Sequence, residues 1–278
     1  MGEVPWNLLL ASALAGSLAR IPTHPLDTLK ARMMASKGST LRNVLNDTLK
    51  TEGVRGLYRG FWFTTVSSIP ASCTYFSSQE WSRKKLFSNS LASGFFAETV
   101  SCLLYVPIDV VKERMQVARM DAETKTYGSR YDRGIQAIRS IVSTEGVKGL
   151  YKGYLSTLAS FGPFSALYFF FYEDFRKRLE IRYQHQESIP AYAFWAGGGL
   201  CGAAAAFLTT PLDLVKLRKQ LDPSSSFYVS EGMVAGLRRT LKDEGLPGLF
   251  RGATARVLFF SPTTAFSMAI FEVLRASL

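Results

Sequence analysis

The chain has 278 residues, of which 47% are hydrophobic and 13% are aromatic, and its net charge is +11. The basic excess indicates an anionic partner (nucleic acid, acidic lipid headgroups or an anionic substrate), although much of it can also form a solvated or headgroup-facing rim. Nucleic acid is the least supported of these, because the sequence has no zinc-ligand spacing, no RNP-like strand and no basic-region helix. We therefore expect no nucleic-acid binding.

The first third of the chain contains two apolar segments joined by a polar one. The first apolar segment covers about residues 5–35 and ends in Pro25-Leu26-Asp27-Thr28-Leu29-Lys30-Ala31-Arg32, which has the form Pro-x-Asp-x-x-Lys-x-Arg. The polar segment, at about 39–50, places Leu41, Val44 and Leu45 on one face of a helix. A Glu-Gly element, Glu52-Gly53-Val54-Arg55-Gly56-Leu57-Tyr58-Arg59-Gly60, then precedes the second apolar segment, at about 60–86.

The rest of the chain repeats this order twice. The Pro-x-Asp-x-x-Lys-x-Arg form recurs at residues 107–114 and 211–218, and the Glu-Gly element recurs at 145–153 and 244–252. The apolar segments lie at about 91–118, 153–180, 190–220 and 252–276, and the amphipathic ones at about 132–144 and 230–243. A fixed order of elements indicates an internal repeat. We predict three repeats, at 1–88, 89–184 and 185–278.

The six apolar segments predict an all-α membrane protein with six transmembrane helices in three pseudo-symmetric two-helix repeats. A 25-residue helix spans about 37 Å, enough to cross a bilayer with tilt. The short amphipathic segments predict helices at the membrane surface, or packed connecting helices. The alternative is a buried all-α soluble core, which ordinary helix lengths disfavour.

The repeated charges predict two rings. Charge at membrane depth should face the bundle interior and be paired. The first set, here named the Asp–Lys ring, consists of Asp27, Lys30, Asp109, Lys112, Asp213 and Lys216. The second set, the Glu–Arg ring, follows Pro70, Pro163 and Pro262 and consists of Glu80, Arg83, Glu173, Arg176, Glu272 and Arg275.

The repeated elements together resemble the signature of the mitochondrial carrier family, over nearly the full chain. The resemblance implies a central cavity between a matrix gate, which is the Asp–Lys ring, and a cytoplasmic gate, which is the Glu–Arg ring. Alternate opening of two such gates gives alternating access; static structural bridges are the other interpretation. The implied pairs are Asp27–Lys112, Asp109–Lys216 and Asp213–Lys30, then Glu80–Arg176, Glu173–Arg275 and Glu272–Arg83.

The family pattern also implies side chains that brace the rings. Gln116 and Gln220 occupy the glutamine positions beside the Asp–Lys ring, whereas Met34 departs from them. Tyr172 occupies the tyrosine position beside the Glu–Arg ring, whereas Phe271 and Gln79 depart.

The start of each second helix resembles the family's cardiolipin sites. Helix N-termini with a basic neighbour attract phosphate, although glycine is also useful there as turn chemistry. The residues concerned are Arg59, Gly60, Lys152, Gly153, Arg251 and Gly252. No other bound group is expected, and the scattered cysteines predict neither a metal site nor a disulfide framework.

The family's substrate contacts map to uncharged residues here: Ser67, Ser68, Ser160, Phe161, Phe259 and Phe260. Candidate cavity charges are Arg20, His24, Glu98 and Arg256, of which His24 and Arg256 can instead be structural. Within the family the chain looks most like the S-adenosylmethionine carriers, where Glu98 would pair with a cationic substrate and the aromatic rings would stack on adenine. Arg20 would instead favour an anion, so a nucleotide, a nucleotide-like cofactor or iron stays open.

The expected protein is therefore a monomeric, multi-pass transporter or antiporter of the mitochondrial inner membrane. Its N-terminus has neither a secretory signal nor an Arg-rich transit peptide, so its address would be internal. A membrane receptor or tether on the same scaffold is the rival class. An enzyme is not expected, because the sequence shows no nucleophile–base arrangement and no metal cluster.

Overall fold

A computed structural model describes residues 6–36, 40–85, 90–118, 134–183, 190–221 and 232–277. Within these ranges the chain is helical and contains no strand, which confirms the predicted all-α class. For residues 6–20, 76, 79–80, 83–85, 90–94, 191 and 267–277 the description covers the backbone alone.

The described ranges contain ten α-helices and one short 3-10 helix, Val147–Tyr151. The long helices begin and end within two residues of the predicted apolar segments, except that the fifth segment is divided into two helices. The α-helices are α1 Trp6–Ala35, α2 Leu41–Leu57, α3 Phe61–Lys85, α4 Ser90–Val117, α5 Gly134–Glu145, α6 Tyr154–Arg182, α7 Ala191–Leu208, α8 Thr210–Leu221, α9 Met233–Leu249 and α10 Ala253–Ser277.

The long helices form a closed ring in the order α1, α3, α4, α6, α7–α8, α10 and back to α1. Helices α1, α4 and α8 also contact one another at the end where each carries its Pro-Asp-Lys motif. The motif charges of all three repeats therefore converge on the axis of the ring. The side chains of Ala31, Met34, Leu214 and Leu217 pack together there and close this end.

One prediction about the fifth apolar segment was wrong. It is two helices, because α7 ends at Leu208 and α8 begins at Thr210, with an angle of 63° between the two parts. The break lies at Thr209, two residues before Pro211, whose nitrogen has no hydrogen to continue the helical bonding. Thr209 and Thr210 also donate their hydroxyls to the carbonyls of Ala205 (2.7 Å) and Ala206 (2.8 Å), a pattern that bends helices.

The connecting helices α2 and α9 extend further than predicted, across the glycine of the Glu-Gly element. Gly53 in α2 and Gly245 in α9 have φ of 64° and 70°, so each helix kinks there. These kinks turn the chain back toward the next long helix. On α5, Ile141 packs beneath Val110 and Val111 of α4, so the amphipathic face is buried in the bundle.

Among the described residues, no single helix is long and apolar enough to be a candidate membrane span, whereas the bent pair Tyr192–Leu208 and Thr210–Leu221 passes the same test together.

Gly153 is expected to tolerate no side chain. Its φ is +78°, and a Cβ there would lie 3.1 Å from Cγ of Gln220. Gly153→Ala should therefore destabilise the protein by about 1–2 kcal/mol, the usual cost of a left-handed residue. The matched control is Gly162→Ala in α6, where a Cβ would meet open space. Thermal unfolding of the purified variants measures the difference, and equal midpoints for the two would contradict the expected strain.

Candidate functional site

The Asp–Lys ring is fully assembled at the closed end of the bundle. Lys112 Nζ lies 2.6 Å from Asp27 Oδ2, Lys216 Nζ 2.7 Å from Asp109 Oδ2, and Lys30 Nζ 2.7 Å from Asp213 Oδ2. Each pair joins two different repeats, and the three are the pairs that the family resemblance implies. Five of the six residues are buried and the side chain of Lys112 is 12% exposed, so each charge depends on its partner for stabilisation.

Local structure explains why each motif delivers its charges to the axis. The acid and the base are three residues apart, nearly one helical turn, so both lie on the face that points inward. The proline two residues before each acid lacks an N–H and interrupts the helical hydrogen bonding. Neighbouring elements bond to this region: Thr28 donates its hydroxyl to the carbonyl of Leu57, 2.8 Å away.

Two of the three acids have a second partner, a glutamine. Gln116 Nε2 donates to Asp27 Oδ2 at 3.2 Å, and Gln220 Nε2 donates to Asp109 Oδ2 at 3.1 Å. Both glutamines are completely buried. At the third position, Met34 is also completely buried and has no group that can donate to a carboxylate.

A layer of charge beneath the ring was missed by sequence reasoning. In every repeat the glutamate of the Glu-Gly element lies between the arginine of the Pro-Asp-Lys motif and the basic residue before the next helix. Glu52 lies 2.7 Å from Arg32 and 2.6 Å from Arg59, and Glu244 lies 2.8 Å from both Arg218 and Arg251. The signal that could have revealed these triads was the fixed co-occurrence of the two repeated motifs.

The second repeat contains the same triad. Glu145 Oε2 lies 3.0 Å from Arg114 Nη2 and 2.7 Å from Lys152 Nζ. Burial raises the pKa of Glu145, but the hydrogen bonds from Arg114 and Lys152 outweigh burial and hold the pKa below its ordinary value. Arg59, Lys152 and Arg251, expected as lipid contacts, are therefore all engaged in ion pairs within the protein.

Two of the six side chains of the Glu–Arg ring, Glu173 and Arg176, belong to the described residues. Glu173 is exposed, and Arg176 Nε bonds to Glu180 Oε1 of its own helix at 3.0 Å. The side chain of Tyr172 is buried and stacks on Tyr168 with ring centroids 6.0 Å apart. The side chains of Glu80, Arg83, Glu272 and Arg275 lie outside the described residues.

The predicted aromatic contact positions cover the lysines of the Asp–Lys ring. Phe161 lies with its ring centroid 5.1 Å from Lys216 Nζ, and the centroids of Phe259 and Phe260 lie 6.0 and 5.5 Å from Lys30 Nζ. These distances fit cation–π attraction, so the predicted contact positions lie directly beside the charges of the Asp–Lys ring. The serine positions lie on the adjoining helices: Ser67 and Ser68 are half-buried in α3, and Ser160 is buried in α6.

The candidate cavity charges have different environments. Glu98 of α4 is half-buried, with Cys102 Sγ 3.6 Å from Oε1. His24 is buried between α1 and α3, where Nε2 lies 2.9 Å from the Arg59 carbonyl and the ring lies edge-on to Phe61. Arg256 is buried beside Asp213. Arg20 belongs to α1, and its side chain lies outside the described residues.

Glu113 is a buried acid that sequence reasoning did not consider. It lies in the position after Lys112, where the other repeats have Ala31 and Leu217, and it is 4% exposed. Its Oε1 lies 3.4 Å from Lys112 Nζ. Lys112 therefore has two acidic neighbours, Asp27 across the ring and Glu113 on its own helix.

Comparison with known proteins gives a consistent match over the chain. The family model described as Mitochondrial carrier protein matches residues 2–90, 83–183 and 187–278. Mitochondrial substrate carrier family protein E of Dictyostelium discoideum is 31% identical over 285 residues, covering 96% of this chain and 94% of that protein.

Relatives whose names give different substrates match at similar identity. The mitochondrial S-adenosylmethionine carrier protein of Xenopus laevis is 31% identical over 278 residues, covering 97% of this chain and 96% of that protein. The mitochondrial aspartate-glutamate transporter of Saccharomyces cerevisiae is 28% identical over 286 residues, covering 97% of this chain and 31% of that protein.

Proposed function

The chain belongs to the mitochondrial carrier family, and on that premise we propose that it carries a small metabolite across the mitochondrial inner membrane by alternating access. The Asp–Lys ring is the matrix gate and the Glu–Arg ring is the cytoplasmic gate. The observation that carries this proposal is the ring of three buried ion pairs between repeats, at 2.6–2.7 Å. Such a ring can open only if the three repeats separate.

The two ends of the bundle support alternating access because they differ. The Asp–Lys ring is closed and buried, whereas Glu173 and Arg176 of the other ring are far more exposed and Arg176 bonds within its own helix. Alternating access requires that the two gates close at different times, and this difference in burial supports that proposal. A receptor or tether on the same scaffold would have no need for a ring that opens.

A six-span layout fits the outer surface of the bundle. We propose that α1, α3, α4, α6, the bent pair α7–α8, and α10 cross the bilayer. Large apolar side chains point outward from them, including Trp62 and Leu155, each 77% exposed, and Leu200, 66% exposed. Water would disfavour such a surface, whereas lipid tails would cover it. A single chain closes the ring, which supports a monomer.

For the substrate we propose S-adenosylmethionine. The aromatic wall of Phe161, Phe259 and Phe260 suits stacking on adenine. Glu98, half-buried in α4, is the acid that would pair with a sulfonium cation. The predicted contact positions themselves carry no charge, which disfavours an acidic amino acid. The lysines behind the aromatic wall favour a nucleotide or a nucleotide-like cofactor as the second candidate.

For the bound lipid we propose cardiolipin, held mainly by backbone groups. Gly60, Gly153 and Gly252 precede α3, α6 and α10 with φ of 76–79°. The N–H groups of Phe61 and Ala253 already bond to the carbonyls of Tyr58 and Phe250, so the phosphate would be held by the following N–H groups of the first turn, which a helix N-terminus directs at an anion. Since Arg59, Lys152 and Arg251 are paired with glutamates, they would supply positive potential nearby rather than direct contacts.

Reconstitution into cardiolipin-containing liposomes tests both transport and substrate. Radiolabelled S-adenosylmethionine, ATP, iron and aspartate would be offered to proteoliposomes with matching internal substrate. Uptake of S-adenosylmethionine above that of empty liposomes is expected. No uptake of any metabolite would contradict transport, and uptake of another compound alone would contradict the substrate.

Glu98→Gln is expected to abolish S-adenosylmethionine uptake, because it removes the carboxylate that would balance the substrate's cation. Asp47→Asn on the exposed face of α2 is the control for loss of one negative charge and should transport normally. Unchanged uptake by Glu98→Gln would rule out the role given to Glu98.

A further inference from the structure

The Asp–Lys ring has three edges, each being one acid with the side chains that reach it from the neighbouring repeat. The three edges differ in composition. At two edges the acid receives a lysine and a glutamine from the same neighbouring helix: Lys112 and Gln116 for Asp27, Lys216 and Gln220 for Asp109. At the third edge, α1 places Lys30 beside Asp213 and has Met34 at the position of the glutamine.

Met34 fills the position that a glutamine fills elsewhere. A Cβ added at Gly153 would meet Cγ of Gln220, and a Cβ added at the equivalent Gly252 would meet Cγ of Met34. Met34 is 0% exposed, so the position that a glutamine fills in the other repeats holds a thioether in a dry interior. A thioether cannot donate a hydrogen bond, so the third edge lacks a glutamine brace.

Arg256 is a second cation beside Asp213. It is the fourth residue after Gly252, and the equivalent residues of the other repeats are the threonines Thr64 and Thr157. Arg256 Nε lies 3.5 Å from Asp213 Oδ2. The arginine is therefore a departure at the same edge that lacks the glutamine. It places a second cation beside Asp213, as an ion pair without a hydrogen bond between Nε and Oδ2.

The burial of Arg256 fits a role behind the cavity wall. Its side chain is 2% exposed, and its Cζ lies 5.2 Å from the ring centroid of Phe260 and 5.8 Å from that of Phe164. Nη1 has no hydrogen-bond partner among the described residues, so the acid beside it is the group that stabilises this buried cation. In the closed conformation the aromatic rings lie against Arg256 and help to separate it from the cavity.

We propose that Arg256 is the third brace of the matrix gate. It takes the role that Gln116 and Gln220 have at the other two edges, since the first repeat has Met34 at the equivalent position. The inference rests on the proposed gate function and reassigns Arg256 from substrate contact to positioning residue. Asp213 then has two cations where Asp27 and Asp109 each have one cross-ring lysine and an amide. A second positive charge this close attracts the carboxylate more strongly than a neutral amide does, so we infer that the Asp213 edge is held at least as firmly as the other two.

The test is a rescue experiment on the purified full-length protein. Arg256→Thr, which installs the residue of the other repeats, should lower the thermal unfolding midpoint by about 2–4 °C. Adding Met34→Gln should restore most of that loss, because the amide can then reach Asp213 as Gln220 reaches Asp109. Unfolding can be followed by thiol labelling, since Cys102 and Cys201 are buried in the folded protein.

A matched variant shows whether the rescue is specific to this edge. Gln220→Met removes the brace of Asp109 and should lower the midpoint as Arg256→Thr does. Met34→Gln should not restore it, because Met34 lies at a different edge. Restoration of both variants to the same extent would show general stabilisation and overturn the proposal.

Transport separates a brace from a substrate contact. With radiolabelled S-adenosylmethionine, Arg256→Thr should change the maximal rate and leave KM within about twofold, as expected when uniform substrate binding is kept. An unchanged midpoint together with a raised KM would overturn the proposal in favour of a substrate contact. A lowered midpoint that Met34→Gln fails to restore would overturn it in favour of ordinary packing.

Failure of the gate itself would look different. If Asp213→Asn transports like the native chain while the stability rescue succeeds, the ring is not a gate and Arg256 braces a static bridge. If Asp213→Asn loses transport and the rescue fails, the gate stands and the role of Arg256 does not.

Discussion

Replacement of Asp109 by asparagine is expected to reduce transport at least tenfold. The change leaves Lys216 buried without its acid, and breaking one side of a buried ion pair costs roughly 3–5 kcal/mol. The closed ring would lose that free energy relative to the open one, so the carrier would rest with its matrix gate open and would cycle slowly. About 1.4 kcal/mol corresponds to a tenfold change in such an equilibrium. Initial uptake into proteoliposomes of the metabolite identified by the substrate panel measures the effect.

The control for this prediction is Asp243→Asn, which also removes one acid from an ion pair. Asp243 and Arg239 are a pair on the exposed face of α9, 3.4 Å apart, and exposed pairs contribute about 0–1 kcal/mol. This variant should transport like the native protein. If the Asp109 variant does so as well, a purely structural bridge is the better description of the ring.

Glu145→Gln is expected to be the most destabilising single change outside the ring. Glu145 lies between two cations, Arg114 and Lys152, and the side chain of Arg114 is fully buried. The neutral amide would leave that arginine without its acid, at a cost of roughly 3–5 kcal/mol of unfolding free energy. Thermal unfolding of the purified protein measures the loss, and Asp174→Asn, in an exposed pair with Arg178, is the control.

The effect of Glu145→Gln should depend on pH in a defined direction. The pKa of Glu145 is lower in the folded protein than its ordinary value of about 4.3. A group whose pKa is lowered on folding stabilises the protein fully above its unfolded pKa and loses that contribution as the pH falls through the folded value. The two proteins should therefore differ fully near pH 7 and converge below about pH 4. A difference that grows toward low pH would contradict the triad.

The repeated sequence motifs predicted most helix bounds of the bundle and the placement of its charges. The Pro-x-Asp-x-x-Lys-x-Arg motif occurs at identical spacing in each repeat, and equal spacing on equivalent helices must place equivalent charges at one level. The bounds of α1, α3, α4, α6 and α10 followed from apolar length, since each segment begins near glycine, serine or proline and ends near polar residues. The cross-ring partners came from the family resemblance, and those of the Asp–Lys ring coincide with the pairs in the structure. The predicted partners of the Glu–Arg ring involve side chains outside the described residues and stay a prediction.

Features that depend on contacts between distant segments were not predictable in the same way. The break between α7 and α8 depends on two threonine hydroxyls that bond to carbonyls one turn earlier, which apolarity does not reveal. The triads require knowing that the Glu-Gly element folds back beneath the ring. The role of Arg256 becomes visible only when Met34 is seen to occupy a glutamine's place beside Asp213, because neither residue is unusual by itself.

The measurement that tests the gate most directly is uptake by the exchanged pair Asp109→Lys with Lys216→Asp. If the pair closes the matrix side, each single change should abolish uptake, and the double change should restore a substantial part of it because the attraction between the two helices is re-formed. If the double variant is as inactive as the singles although it is folded, or if either single variant transports normally, the Asp–Lys ring is not the gate.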